Sequence, residues 1–120
     1  MAKLTEEMKE LINGQLCFIA TVNADGSPNI GPKGSTRVLD DEHIVYGEVT
    51  GRQHWANVQR NRHVAVACVN RETRKNCRID GTAEIVTSGP VFDEVQGRLK
   101  ARNSVAKAVI KIKVDRISSL

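Results

Sequence analysis

The chain has 120 residues, of which 40% are hydrophobic and 27% charged, with a formal net charge of +4. That length supports one hydrophobic core without staples, but not two. No apolar run approaches the roughly 20 residues of a membrane span, and the first ten residues carry no signal-peptide core, so the expectation is a cytoplasmic protein with no membrane partner. Cys17, Cys68 and Cys77 are odd in number and lack Cys-x-x-Cys spacing. This argues against a disulfide framework and against a zinc site. Cys17 and Cys68 sit in apolar runs and read as buried small hydrophobes.

Leu4, Met8, Leu11 and Ile12 recur at i, i+4, i+7 and i+8, which predicts a short amphipathic helix. Thr5 is its candidate cap and Gly14 its stop. Leu16 to Val22 is a strand, ended by the turn cluster from Asn23 to Pro28. A second strand, Asn29 to Leu39, pairs with it as a hairpin. Asp40 to His43 turns the chain into a third strand, Ile44 to Val49. Gly51 to Arg60 reads as a short helix, and Val64 to Val69 as a continuous apolar strand. Arg71, Arg74, Lys75 and Arg78 are the densest basic stretch, but their Asn and Thr neighbours make it a solvated turn rather than a nucleic-acid patch. Cys77 to Ile85 alternates with period two, a half-buried strand. Gly89-Pro90 opens a helix with Phe92, Val95 and Leu99 on its buried stripe, and a last strand runs from Ala106 to Asp115. The sum is six antiparallel strands with three short helices, mainly β, closed into a barrel that leaves few exposed edges.

Two segments depart from what a plain barrel needs. Gly31-Pro32-Lys33-Gly34-Ser35 puts two glycines, a proline and a lysine into a strand. Glycine there lets a ligand approach the backbone; a β-bulge is the structural alternative. Thr50, Gly51, Arg52, Gln53 and His54 lie where a strand meets a helix, and a helix start binds phosphate through its unpaired amides. Together the two fit a planar ring with an anionic tail. Paired carboxylates and a Ser-His-Asp set are not evident, so any redox chemistry belongs to a cofactor, and catalytic residues are not assigned. His43 and His63 read as solvated, and Trp55 as packing its helix onto the barrel.

The order and spacing of several motifs resemble the FMN-binding split-barrel family, which includes the pyridoxamine 5′-phosphate oxidases and, closest in length, the small FMN-binding proteins of sulfate-reducing bacteria. The motifs are Leu16 to Thr21 before Asp25-Gly26, then Val38-Leu39-Asp40, and Trp55 to Val58 before Val64. Ile79 to Ala83 and Gly89 to Phe92 complete the set. The resemblance implies a six-stranded split barrel acting as a homodimer, with FMN at the subunit interface. It places the flavin ring along Gly31 to Ser35 and the phosphate at Glu48 to His54. Gln53 and His54 stand where many members carry a lysine or arginine, which removes a fixed charge from the phosphate site. The implied role is electron or hydride transfer with an unknown redox partner. Pyridoxamine phosphate oxidation is disfavoured, because the longer terminal segments of those enzymes are missing. The alternatives are deazaflavin (F420) or haem on the same barrel, a cofactor-free structural dimer, and a basic barrel for single-stranded nucleic acid. The last is disfavoured by the scarcity of aromatic stacking platforms.

Overall fold

The computed structural model describes residues 2–118. In chain order the elements are α1 (Glu6–Gly14), β1 (Phe18–Val22), β2 (Pro28–Pro32), β3 (Arg37–Asp40), β4 (His43–Glu48), α2 (Gln53–Arg60), β5 (His63–Val69), β6 (Asn76–Val86), α3 (Pro90–Lys100) and β7 (Ala108–Ser118). The Thr5 hydroxyl accepts from the Met8 amide at 3.2 Å and caps α1 as expected.

The described residues form seven strands where the sequence predicts six. The expected strand from Asn29 to Leu39 is two strands, β2 and β3, separated by a turn over residues 33–36. The Thr36 amide (3.1 Å) and the Thr36 hydroxyl (2.7 Å) both donate to the Lys33 carbonyl and lock that turn. Lys33 and Gly34 therefore bend the chain instead of extending it.

That turn determines the architecture. All strand pairs are antiparallel, and the sheet order is β2-β1-β5-β6-β7-β4-β3. β2 and β3 are thus the two outer strands of one sheet, yet only the turn joins them. Four residues span at most about 14 Å, so the sheet must roll until its two edges lie side by side. The result is a barrel split between β2 and β3.

The barrel is filled by the inward residues of each strand: Ile19, Ile44, Tyr46, Val66, Ile79, Ile110 and Ile112 are all fully buried. Leu11 and Ile12 of α1 join this core, and Trp55 packs against it from α2. A second, smaller cluster lies outside the barrel, where Val95 and Leu99 of α3 cover Val45 and Val109. β4 is therefore buried on both faces, with Ile44, Tyr46 and Glu48 inward and Val45 and Gly47 under α3. A Cβ on Gly47 would run into the Leu99 side chain, so glycine is what lets α3 sit this close.

Candidate functional site

The turn at the split brings the two unusual segments together. Pro32, Lys33, Gly34 and Ser35 form one wall of an open cleft of about 300 Å³, and Val49 and Thr50 line it from the end of β4. Gly47 and Leu99 contribute to its lining, as do Arg102 and Ser104 beyond α3. The backbone at Gly34 is open, with nothing within 4 Å of where a Cβ would stand. Gly51 has φ +63°, and the Lys107 ammonium comes within 2.6 Å of the space a Cβ there would fill. A cation thus lies across the Thr50-Gly51 turn. Sequence reasoning missed Arg102, Ser104 and Lys107, because only the packing of α3 and the start of β7 carries them to this end of the sheet. The basic residues between α3 and β7 were the one available signal.

Other predicted residues lie under the cleft rather than in it. The Lys33 ammonium donates to Glu48 Oε2 at 2.9 Å. The Glu48 side chain is fully buried and that of Lys33 is 11% exposed. The Lys33 ammonium also stands 5.6 Å above the Tyr46 ring centroid. This pairing neutralises Lys33, so it brings no net charge to a ligand. Glu48 Oε1 and the Tyr46 hydroxyl are buried without a hydrogen-bond partner. Burial, reinforced by the Glu48 carboxylate, raises the Tyr46 hydroxyl well above the ordinary tyrosine range.

His54 turns inward. Its Nδ1 lies 3.1 Å from Thr21 Oγ1. The buried Asn57 amide donates to that same oxygen at 3.0 Å. His54 Nε2 is a buried atom with no hydrogen-bond partner among the described residues and faces Gly31. Burial, with the Lys33 charge adding to it, lowers the His54 pKa and favours the neutral form. A Cβ on Gly31 would lie 3.0 Å from His54 Nε2, so Gly31 makes room for a side chain as well as for any ligand. Gln53 donates to Asn57 Oδ1 at 2.8 Å. Arg52 is exposed at the start of α2, where no side chain caps the helix amides. Ser35 Oγ accepts from the Gly47 amide at 2.9 Å and ties the turn to β4.

The residues present fit a planar ring with an anionic tail. The open turn at Gly34 offers a surface for the ring, while Arg102 and Lys107, with the open helix start beyond Gly51, offer charge and donors for the tail. A larger groove of about 590 Å³ lies elsewhere, over Ala20, His63, Ala65 and Arg116. Its Arg116 donates from Nε to Asp80 at 2.8 Å and its Asp115 accepts from the Thr82 hydroxyl at 2.6 Å, whereas the smaller cleft is the one that both unusual segments reach. Among the described residues no helix is long and apolar enough to cross a membrane, and no cluster of three or more His, Cys, Asp or Glu residues could hold a metal ion.

A rolled seven-stranded sheet with three short helices and a cleft at its split defines a small split β-barrel with a candidate ligand site. The sequence pattern of the pyridoxamine 5′-phosphate oxidase family matches residues 4–120, and the chain belongs to that family. HupZ of Group A Streptococcus is 45% identical, with a TM-score of 0.89 over 97% of this chain and 98% of that one. A candidate pyridoxamine 5′-phosphate oxidase of Lactobacillus delbrueckii is 31% identical, with a TM-score of 0.84 over 99% and 100% of the two chains. An uncharacterised protein of Methanocaldococcus jannaschii is 30% identical, covering 100% of this chain and 83% of that protein. At 20% and 19% identity the fold alone is shared with an FMN-binding protein of Syntrophomonas wolfei and with HutZ, the haem storage protein of Vibrio cholerae. An F420 reductase shares it at 19%.

Proposed function

We propose that this protein binds FMN in the cleft at the split and works as a cytoplasmic, homodimeric flavoprotein that passes electrons or hydride to a redox partner. The supporting observation is the convergence of the open turn at Gly34 with Thr50 and Arg102 around one cleft, with the Lys107 ammonium beside Gly51. Pro32, Lys33 and Gly34 carry the ring. Val49, Thr50, Gly51 and Arg52 take the phosphate end, with Arg102 and Lys107 supplying the charge that Gln53 and His54 lack. Bound flavin supplies the one- or two-electron chemistry, and the protein holds the ring and its phosphate in place. Glu48 and His54 support the walls from behind, and Ser35 ties its wall to β4.

Haem is the weaker reading for this cleft, because its lining offers no histidine, cysteine, methionine or tyrosine to ligate iron. Ile30, Val49 and Val105 are apolar and 67%, 37% and 61% exposed, on segments that border the cleft. A second copy of the chain covering them would close the open side and shield the ring from water.

The test is the colour of the purified protein and the mass of any released cofactor. FMN absorbance, one flavin per chain and a dimer mass by light scattering support the reading. Arg102→Ala and Lys107→Ala should each weaken flavin retention about tenfold, as expected for the loss of one charge-assisted contact of about 1.5 kcal/mol. A colourless preparation that takes up no flavin from a large excess overturns it.

A further inference from the structure

The three cysteines, 60 residues apart in sequence at their extremes, form one row in space. β1 pairs with β5 in the register Phe18↔Ala67, so Cys17, one step before Phe18, falls opposite Cys68. β5 pairs with β6 in the register Cys68↔Cys77. All three thiols are free, buried and turned to the same inner face. Cys68 Sγ lies 3.6 Å from Cys77 Sγ. Small hydrophobes scattered through a core have no reason to align on one transverse row, and the flavin reading uses none of them.

We propose that Cys17, Cys68 and Cys77 form a thiol relay in the barrel wall that reduces a hydroperoxide and ends as a Cys68–Cys77 disulfide.

The backbone allows the bond. The Asn70 amide donates to the Lys75 carbonyl, which makes 70/75 a hydrogen-bonded pair. Pairs alternate along an antiparallel ladder, so 68/77 is hydrogen-bonded too. Such a pair has its Cα atoms about 5.5 Å apart, inside the range of natural disulfides. The sulfurs need only close from 3.6 Å to about 2 Å.

Access comes from a groove of about 450 Å³ lined in part by Cys68 and Cys77, with Leu16, Phe18 and Val69 around it and Arg71 among its lining residues. The link over residues 15–17 between α1 and β1 borders the same groove at Gln15 and Leu16, and that link must open for a peroxide to reach Cys17, which is 1% exposed behind it.

The order of reaction follows from the thiols' acidities. The Cys17 thiol faces the Ile12 carbonyl at 3.6 Å, and the neighbouring Cys68 thiol lowers its pKa. The same interaction, with burial, pushes Cys68 up to about 12, and Cys77 is raised further by its own contact with Cys68. Cys17 is thus the first nucleophile. Its thiolate takes the distal oxygen of the hydroperoxide. An S–O bond forms, the O–O bond breaks, and the alkoxide or hydroxide leaves with the proton Cys17 gave up. Cys68 attacks the Cys17 sulfur. The S–S bond forms, the S–O bond breaks, and hydroxide departs with the Cys68 proton as water. Cys77 then attacks the Cys68 sulfur and expels Cys17, the better leaving group, which receives the Cys77 proton. Two thiols and one hydroperoxide become one disulfide, one alcohol (or water) and one further water, with two electrons passing from sulfur to oxygen.

The test uses the reduced, full-length protein and hydrogen peroxide. The expected product is a monomeric chain lighter by about 2 Da, with one alkylatable thiol left of three. Tryptic peptides 63–71 and 76–78 should be joined. Cys77→Ala should stop at a Cys17–Cys68 bond, and Cys17→Ala should slow disulfide formation about tenfold or more. Three thiols still alkylatable after peroxide, simple oxygen adducts without mass loss, or links only between molecules overturn the proposal. The wild-type measurement decides it even if a variant fails to fold.

Discussion

Replacing Lys33 with methionine should expose how strongly the split depends on its buried ion pair. Methionine keeps the stem but removes the ammonium that Glu48 Oε2 meets at 2.9 Å. Glu48 is fully buried and its other oxygen already lacks a partner, so the variant leaves a carboxylate with no compensation inside the barrel. Breaking a buried pair by removing one member costs about 3–5 kcal/mol. The lower end applies, because the Lys33 side chain is 11% exposed and water can follow the deleted group in. A loss of about 3 kcal/mol corresponds to a fall in Tm of about 10 °C for a domain of this size. Glu48→Leu should also destabilise by stranding the lysine. The double variant Lys33→Met/Glu48→Leu should return to within about 1 kcal/mol of the parent, since an apolar pair of similar volume replaces a desolvated ionic one. Urea unfolding of the four proteins closes the cycle. If the two single losses simply add, the residues are not coupled and the reasoning fails.

Three further outcomes follow from the same geometry. Gly81→Ala should cost about 3 kcal/mol, an overpacking penalty, because a Cβ there would lie 2.6 Å from the Lys113 carbonyl oxygen and 2.5 Å from Ile112 Cγ2; thermal unfolding checks it. Asn57→Ala should cost a similar amount, about 3 kcal/mol, since the buried amide serves Thr21, Asn23, Gln53 and Arg60 at once, and urea titration reads the loss. His54 has its pKa lowered from 6.5, first by burial and then by Lys33. Between 6.5 and that lower value the unfolded chain binds a proton that the folded one refuses, so stability falls as pH drops through this window. His54→Gln should remove that share of the acid loss, giving a smaller difference in urea midpoint between pH 7.5 and 5 than the parent shows.

The elements that were legible in the sequence are those whose pattern is local. Thr5 and the i, i+4 spacing from Leu4 fixed α1, Gly89-Pro90 fixed the start of α3, and the period of two placed β6. The break at residues 33–36 was misread as strand, because Gly-Pro-Lys-Gly fits both a bulge and a turn. Only the Thr36 bonds to the Lys33 carbonyl decide between them. At the site, the sequence named the two segments that meet at the cleft but not the orientation of their side chains. Glu48 and His54 flank a donor-rich stretch that suits a phosphate, yet each points inward, where Lys33 and Thr21 engage them. Arg102 and Lys107 were invisible for the opposite reason. They are unremarkable locally, and long-range packing alone brings them to Thr50 and Gly51.

The location of the cleft follows from the topology. A seven-stranded sheet whose outer strands are joined by a four-residue turn can close only by bringing two unpaired edges together, and unpaired edges leave backbone amides and carbonyls without ladder partners. Where β2 ends and β3 begins, Gly34 has no side chain and open space beside it, so a flat molecule can reach the turn there. The interior behind the seam cannot be wholly apolar, because Lys33, at the turn, brings a charge that Glu48 must answer from β4. The buried ion pair and the exposed cleft are therefore two faces of one closure. Changes that stabilise the inner face by making it apolar should leave the cleft's backbone in place, whereas lengthening the turn at residues 33–36 should loosen both together.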